Sequence, residues 1–233
     1  MAFLITSEVA GLSRLQESQL DERILAWFTE EDLVRYYSRN PSRFTRENLL
    51  ADLDDGWSTA SLLTLAVHNV QTRRIVGVLR LGPMDWRHGL GDMPLIMGER
   101  QEAFQGFATE VVKLGNQLAF EVCGLRKLHG GVYEANKGAV IAYGRAGWVV
   151  PGVLEDHYWV KDKGMDRILV ACHNPRFFPH QQLPTGAELY SRSAILGDLS
   201  ELEETLERNP ECAYWFRMDP ERIPNPNSMT WRN

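Results

Sequence analysis

Two short stretches of this chain hold residue types that could do chemistry together. In Gly106-Phe107-Ala108-Thr109-Glu110 a glycine and an alanine stand where an extended segment gives way to an amphipathic helix. Small residues let a ligand come close to the backbone. The first amides of a helix have no intrahelical acceptor, and together with the positive end of the helix dipole they suit an anion such as a diphosphate. Taken alone, a glycine at such a turn is more often structural. The second stretch runs from Asn136 to Trp148. Asn136 can cap a helix start, and Tyr143, two turns further on, projects from the same helical face. A tyrosine there is more often core packing than catalyst. Between the two stretches, Gly130-Gly131 interrupts a strand-like run and reads as a close ligand approach or a bulge. No G-x-G-x-x-G and no Gly-Lys-Ser/Thr phosphate loop is present, so neither common nucleotide fold is supported.

The elements that must position these residues follow from periodicity. Apolar residues at Phe107, Val111, Leu114 and Leu118 make one stripe of a helix ending near Cys123, with Gly124 as its left-handed cap. A second helix is expected over 137–146, capped by Gly147. Branched-residue runs predict strands at 62–67, 75–81, 93–98, 128–133, 148–150 and 168–172. Pro94 removes a ladder donor, so the third of these belongs at an edge or a bulge. The first sixty residues read as helices and loops, with Asn40-Pro41 breaking one helix and Asp54-Asp55-Gly56 ending another that spans 45–53. Strand–helix–strand–helix–strand means an α/β core (α+β in stricter schemes). After His173 proline-rich loops take over, with one short helix expected from Asp198 to Arg208. The expected division is a domain over 1–173 and an extension over 174–233.

Taken together the two stretches resemble the GNAT acetyltransferase superfamily, in the branch with ribosomal-protein N-terminal, amino-sugar and spermidine acetyltransferases. That branch runs a strand ending Ile-Gly-Glu into a glycine-rich turn and then Gly-Tyr-Gly/Ala-Thr-Glu-Ala. Here the steps read Met97-Gly98-Glu99 and Gly106-Phe107-Ala108-Thr109-Glu110-Val111. Its later pattern is met by Asn136, Ala139, Tyr143, Gly147 and Trp148, and the similarity extends from about Ile75 to Cys172. The resemblance implies a mixed, mostly antiparallel central sheet flanked by helices, and acetyl-CoA lying between the strands that end at Gly98 and near Tyr133. Met97, Gly98, Arg100, Phe104, Gln105, Gly106, Phe107, Ala108, Thr109, Asn136 and Tyr143 would line that cofactor. Amides near Met97 and Gly98 would polarise the thioester carbonyl, and Tyr143 would protonate the departing thiolate. The branch's turn, Q/R-x-x-G-x-G/A, is altered here at Ala103 and Phe104, and Arg100 or Gln101 could supply the missing donor. For the general base Glu134 is the leading candidate, with His129, Asp85, His88, Glu155, Asp156 and His157 behind it. The acceptor implied is a small-molecule amine such as a nucleotide-linked amino sugar. The alternatives are a protein N-terminus, or a non-catalytic module that keeps the fold.

Composition bounds the rest. The chain has 233 residues, 44% hydrophobic and 24% charged, which is ordinary for a globular protein with a full core. A net charge of −6 argues against a nucleic-acid partner held by phosphate contacts. No apolar run is long enough for a membrane helix, and the first residues do not look like a signal peptide. Cys123, Cys172 and Cys212 are too few and too scattered for a disulfide framework or a metal site. A cytoplasmic enzyme without a metal is the expectation, with a homodimer as an option.

Overall fold

In the computed structural model the described residues are 3–37, 44–99, 101, 106–160, 162–179, 204 and 208. The chain opens with β1 (Ile5–Thr6) and β2 (Ala10–Arg14), followed by α1 (Glu22–Trp27), α2 (Glu31–Val34) and α3 (Arg46–Ser58). The strands β3 (Leu63–Asn69), β4 (Ile75–Leu81), β5 (Met84–Asp85), β6 (Leu90–Asp92) and β7 (Leu95–Met97) come next. Then α4 (Phe107–Gln117) continues into a π-helical turn over Leu118–Val122, and β8 (Lys127–Tyr133), α5 (Lys137–Arg145), β9 (Val149–Val160) and β10 (Lys163–His173) complete the core.

The strands form two five-stranded arrays, β1-β2-β3-β4-β7 and β5-β6-β8-β10-β9. All pairings are antiparallel except β6 with β8. This is the mixed, mostly antiparallel sheet that the resemblance implied. β3 and β4 are buried on both faces, and the side-chain alternation of a strand assigns their residues to two cores. On one side Leu65 and Leu79 meet Val111 and Leu114 of α4 and Leu118 of the π-helical turn. On the other, Ala66 and Val78 meet Ile24, Trp27 and Phe28 from α1 and Leu49 and Leu53 from α3.

Several sequence expectations are corrected. β1 and β2 lie in the region expected to be only helices and loops: β2 reads Ala10-Gly11-Leu12-Ser13-Arg14, too short and mixed to show a period of two, and it becomes a strand by pairing with β3. Helix α3 does not stop before Asp54-Asp55-Gly56 but runs through it, because Gly56 packs its backbone against Leu62 where a Cβ would collide. The pair Gly115-Asn116 sits inside α4 for packing reasons. A Cβ at Gly115 would come within 2.5 Å of the Met93 sulfur. Asn116, buried, donates to the Ala146 carbonyl and accepts from Trp148 Nε1, tying α4 to the end of α5. The closing hairpin is far longer than two short strands, and β9 is exposed along most of its length.

Past His173 the chain stays on the domain: Asn174 donates to the carbonyls of Phe120 and Leu125, Phe177 is buried, and Arg126 lies over the Phe178 ring. Of the extension's expected helix, Glu204 and Arg208 are described; they are helical and paired at 2.6 Å. Cys123 and Cys172 are free and buried, and Cys212 lies outside the described residues. Among the described residues no helix is long and apolar enough to cross a membrane and no group of side chains could hold a metal.

Candidate active site

The site begins with a strand that changes partners. β6 pairs with β8 at Leu90–Asp92 against Lys127–His129. After Met93-Pro94 the same chain leaves β8 and, as β7, pairs with β4 at Leu95–Met97. Pro94 has no N–H to give to a β8 ladder, and its carbonyl accepts from the Arg80 amide on β4. The two sheets therefore splay apart, and among the described residues the edges of β7 and of β8 beyond His129 have no strand partner. Between them and the facing helices is a cleft of about 470 Å³, lined by Leu95, Met97, Gly106, Thr109, Asn136, Tyr143 and, from α2 and just after it, Asp32, Arg35 and Tyr36. It narrows to a neck of about 100 Å³ between Pro94 and Gly130–Val132.

On one side of the cleft is the N-terminus of α4. Gly106 has φ 79°, a left-handed conformation that favours glycine, and a side chain there would meet open space. The first intrahelical bond is Glu110 N–H to the Gly106 carbonyl, so the amides of Phe107, Ala108 and Thr109 have no helical acceptor. Ala108 and Thr109 line the cleft, whereas the Phe107 ring is core. A hollow of about 340 Å³, lined by Val9, Asn69, Gln101 and Glu110, borders the same terminus. Arg100, Ala103, Phe104 and Gln105 lie outside the described residues.

Met97 lines the cleft, and Gly98 does not. The Gly98 amide donates to the Val76 carbonyl at 3.0 Å, so it is committed to the sheet. A Cβ on Gly98 would run into the Trp27 ring. Gly98 is thus accounted for by packing, and its amide is not open to a thioester carbonyl. Antiparallel alternation turns the neighbouring Met97 amide toward the open edge.

Asn136 caps α5, accepting from the Ala139 amide at 3.3 Å, and its side chain reaches both cleft and neck. Tyr143 faces both as well. Its hydroxyl donates to the Met93 carbonyl at 2.6 Å, and its ring packs on Trp148. That bond pins the residue at which the bent strand changes partners. Burial, with the Asp92 charge and Tyr37 adding to it, raises the Tyr143 pKa well above its ordinary value, so the phenol keeps its proton at any physiological pH.

The expected bases stand elsewhere. Glu134 is exposed at the end of β8 and lines neither cleft nor neck; its amide donates to Asp166. His129, Asp85, His88, Glu155, Asp156 and His157 are exposed too. The carboxylate that does line the neck is Asp92, which accepts from the Met93 amide and lies 3.0 Å from where a Gly130 Cβ would be. Sequence reasoning missed it. The signal available was its place one residue before Met93-Pro94, at the point where a prolyl break opens the sheet.

A row of tyrosine rings starts at Tyr36, which lines the neck. Tyr36 lies 5.8 Å from Tyr133, which stacks on Tyr158 at 3.7 Å. Trp57 and Trp86 are core, and Trp159 is 74% exposed on the hairpin.

Comparison with known proteins agrees with this geometry. The family profile of the acetyltransferase (GNAT) domain matches residues 11–149. No curated protein matches the sequence. A solved spermidine N-acetyltransferase from Vibrio cholerae, in complex with CoA and spermine, is similar at 18% identity and a TM-score of 0.64, covering 71% of this chain and 95% of its own. A ribosomal-protein-S5-alanine acetyltransferase from Vibrio fischeri is similar at 15% identity and a TM-score of 0.62, covering 72% and 95%. A GNAT-family acetyltransferase from Bacillus anthracis gives 13% and 0.60, covering 73% and 98%. At these identities the structures speak for the fold, and the profile, matching well over half the chain, speaks for the family. A split sheet with two open strand edges, a helix N-terminus facing them and a half-buried tyrosine at the bend belong, in this chain, to a member of the GNAT acetyltransferases, which take the acetyl group from acetyl-CoA.

Proposed function

We propose that this protein acetylates the primary amine of a small molecule by direct attack of the amine on the thioester, with an amino sugar on a nucleotide carrier as the leading acceptor. The observation that carries the small-acceptor reading is the row of tyrosine rings from Tyr36, which lines the neck, to Tyr133 and Tyr158. Aromatic faces suit the apolar face of a sugar ring, and a peptide N-terminus needs an open groove.

Bound acetyl-CoA supplies an activated acetyl thioester. The open edges of β7 and β8 fit an extended amide-bearing arm, and the amides of Phe107–Thr109 fit its diphosphate. Asn136, reaching both cleft and neck, would hold the arm. The outward Met97 amide would stabilise negative charge on the carbonyl oxygen. Asp92 would receive the proton released by the attacking amine, directly or through one water. Tyr143 would return a proton to the sulfur.

Calorimetric titration with acetyl-CoA beside free CoA, followed by thiol-release assays on free amines and on peptides with an N-terminal alanine, tests this reading. Saturable cofactor binding with turnover of free amines is expected. Turnover of peptides alone would reverse the acceptor class, and well-folded protein that does not bind acetyl-CoA would overturn the reading.

A further inference from the structure

Gly130 and Gly131 are not a bulge. β8 pairs with β10 without a register shift from Lys127 to Tyr133. What the two glycines admit is a pair of opposite charges. Successive residues of a strand point to opposite faces. A Cβ on Gly130 would lie 3.0 Å from the Asp92 carboxylate, whereas one on Gly131 would overlap the Arg167 guanidinium. Arg167 lies on β10 opposite Tyr133, on the face that carries the row of tyrosine rings.

Arg167 is a cation in want of an anion. Among the described residues no carboxylate lies within ion-pair distance of it. Its recorded neighbours are His157 at 3.4 Å and the Tyr158 ring at 6.0 Å. Its Nε is buried without a hydrogen-bond partner, and so is the hydroxyl of Tyr158 beside it. Each unsatisfied buried donor carries a free-energy cost, which a ligand anion in this place would relieve.

We propose that Arg167 and Tyr158 form the acceptor's anion subsite: the amine acetylated here also bears a carboxylate or phosphate, which sits on the guanidinium while the amine reaches past the open edge of β8 toward Asp92 and Tyr143. The proposal rests on the acetyl-transfer reading above and narrows its acceptor. Asp92 and Arg167 then read the two ends of one molecule from opposite faces of β8. A polycation, by contrast, would meet the guanidinium with like charge.

The test uses matched acceptors with the full-length protein and saturating CoA. Glucosamine is titrated against glucosamine 6-phosphate, β-alanine amide against β-alanine, and spermidine alone. In at least one pair the anionic member should bind about tenfold more tightly or better, which is about 1.4 kcal/mol. The responding pair distinguishes phosphate from carboxylate. Arg167→Gln should abolish the preference, Arg167→Lys should keep part of it, and Gly131→Ala, which displaces the guanidinium without removing its charge, should weaken it. CoA affinity measured on the same variants reports whether the fold and the donor side are intact. No preference in either pair, tightest binding of spermidine, or an Arg167→Gln protein that still prefers the anion would each overturn the proposal. Loss of CoA binding by the unaltered protein would instead bring down the acetyl-transfer reading itself.

Discussion

Replacing Tyr143 by phenylalanine separates what its hydroxyl does for structure from what it does for chemistry. In the folded protein the hydroxyl donates to the Met93 carbonyl at 2.6 Å, in a residue that is 1% exposed. Removing it leaves that carbonyl short of a donor, which costs about 1–3 kcal/mol of stability. A general acid contributes on the order of 10²–10⁴ in rate. The departing group here is a thiolate, whose conjugate acid in a model thiol has a pKa of about 8.5, so it leaves tolerably well unaided. The lower end applies, and Tyr143→Phe should slow the chemical step by about 100-fold. Acetyl-CoA affinity should fall by less than about threefold, under about 1 kcal/mol, because main-chain edges would hold the arm. Single-turnover thiol release, acetyl-CoA calorimetry and urea denaturation on one preparation measure all three. Full turnover would refute the acid role. A fall in turnover matched by an equal fall in cofactor affinity would reassign the residue to shaping the cleft. Unchanged stability would refute the pin on Met93.

Asp92→Asn should lower kcat/KM by about 100-fold while acetyl-CoA still binds; near-normal activity would return the base to solvent or to another group. Gly98→Ala should destabilise the fold by about 1–3 kcal/mol through overlap with the Trp27 ring, and a urea midpoint equal to that of the unaltered protein would show that the ring can yield. His68 is buried with its Nε2 2.9 Å from Ser13 Oγ, and burial pulls its pKa from 6.5 down to about 4. Because the folded-state pKa is the lower one, the unfolded chain takes up the proton first: stability is full above pH 6.5 and is lost as the pH falls toward 4, by about 3 kcal/mol at most. Urea midpoints followed between pH 7.5 and 4.5 test this, and His68→Gln should flatten the profile.

Much of this was legible in the sequence. The stripe of α4, its left-handed Gly124 cap, the α5 start at Asn136 and the strand at 75–81 are local patterns, and local physics produced them. The wedge was half legible: Pro94 announced a break in pairing, but which strands part company at that break depends on the register of β6 with β8, a long-range fact. The neck's carboxylate was hidden for the same reason: Glu134 stands close to Asn136 in the sequence, whereas Asp92, which lines the neck, lies some forty residues earlier. Gly98 matched a motif position, yet its lack of a side chain is explained by Trp27, whose ring no local reading could have brought there. Asn116, costly to helix propensity, became intelligible once Ala146 and Trp148 were its partners.

The open edges of β7 and β8 also bear on how such a protein can change over generations. An arm held through main-chain amides and carbonyls asks little of the side chains beside it, since every residue but proline presents the same two groups. Along Leu95–Met97 substitutions of similar bulk should therefore pass with little effect on the donor, and a saturation scan would look permissive there. Selection would bear instead on positions that shape the site through the backbone or the packing, such as Pro94 and Gly115. Recognition written in the backbone leaves few letters to conserve, and relatives only 13–18% identical can share this fold.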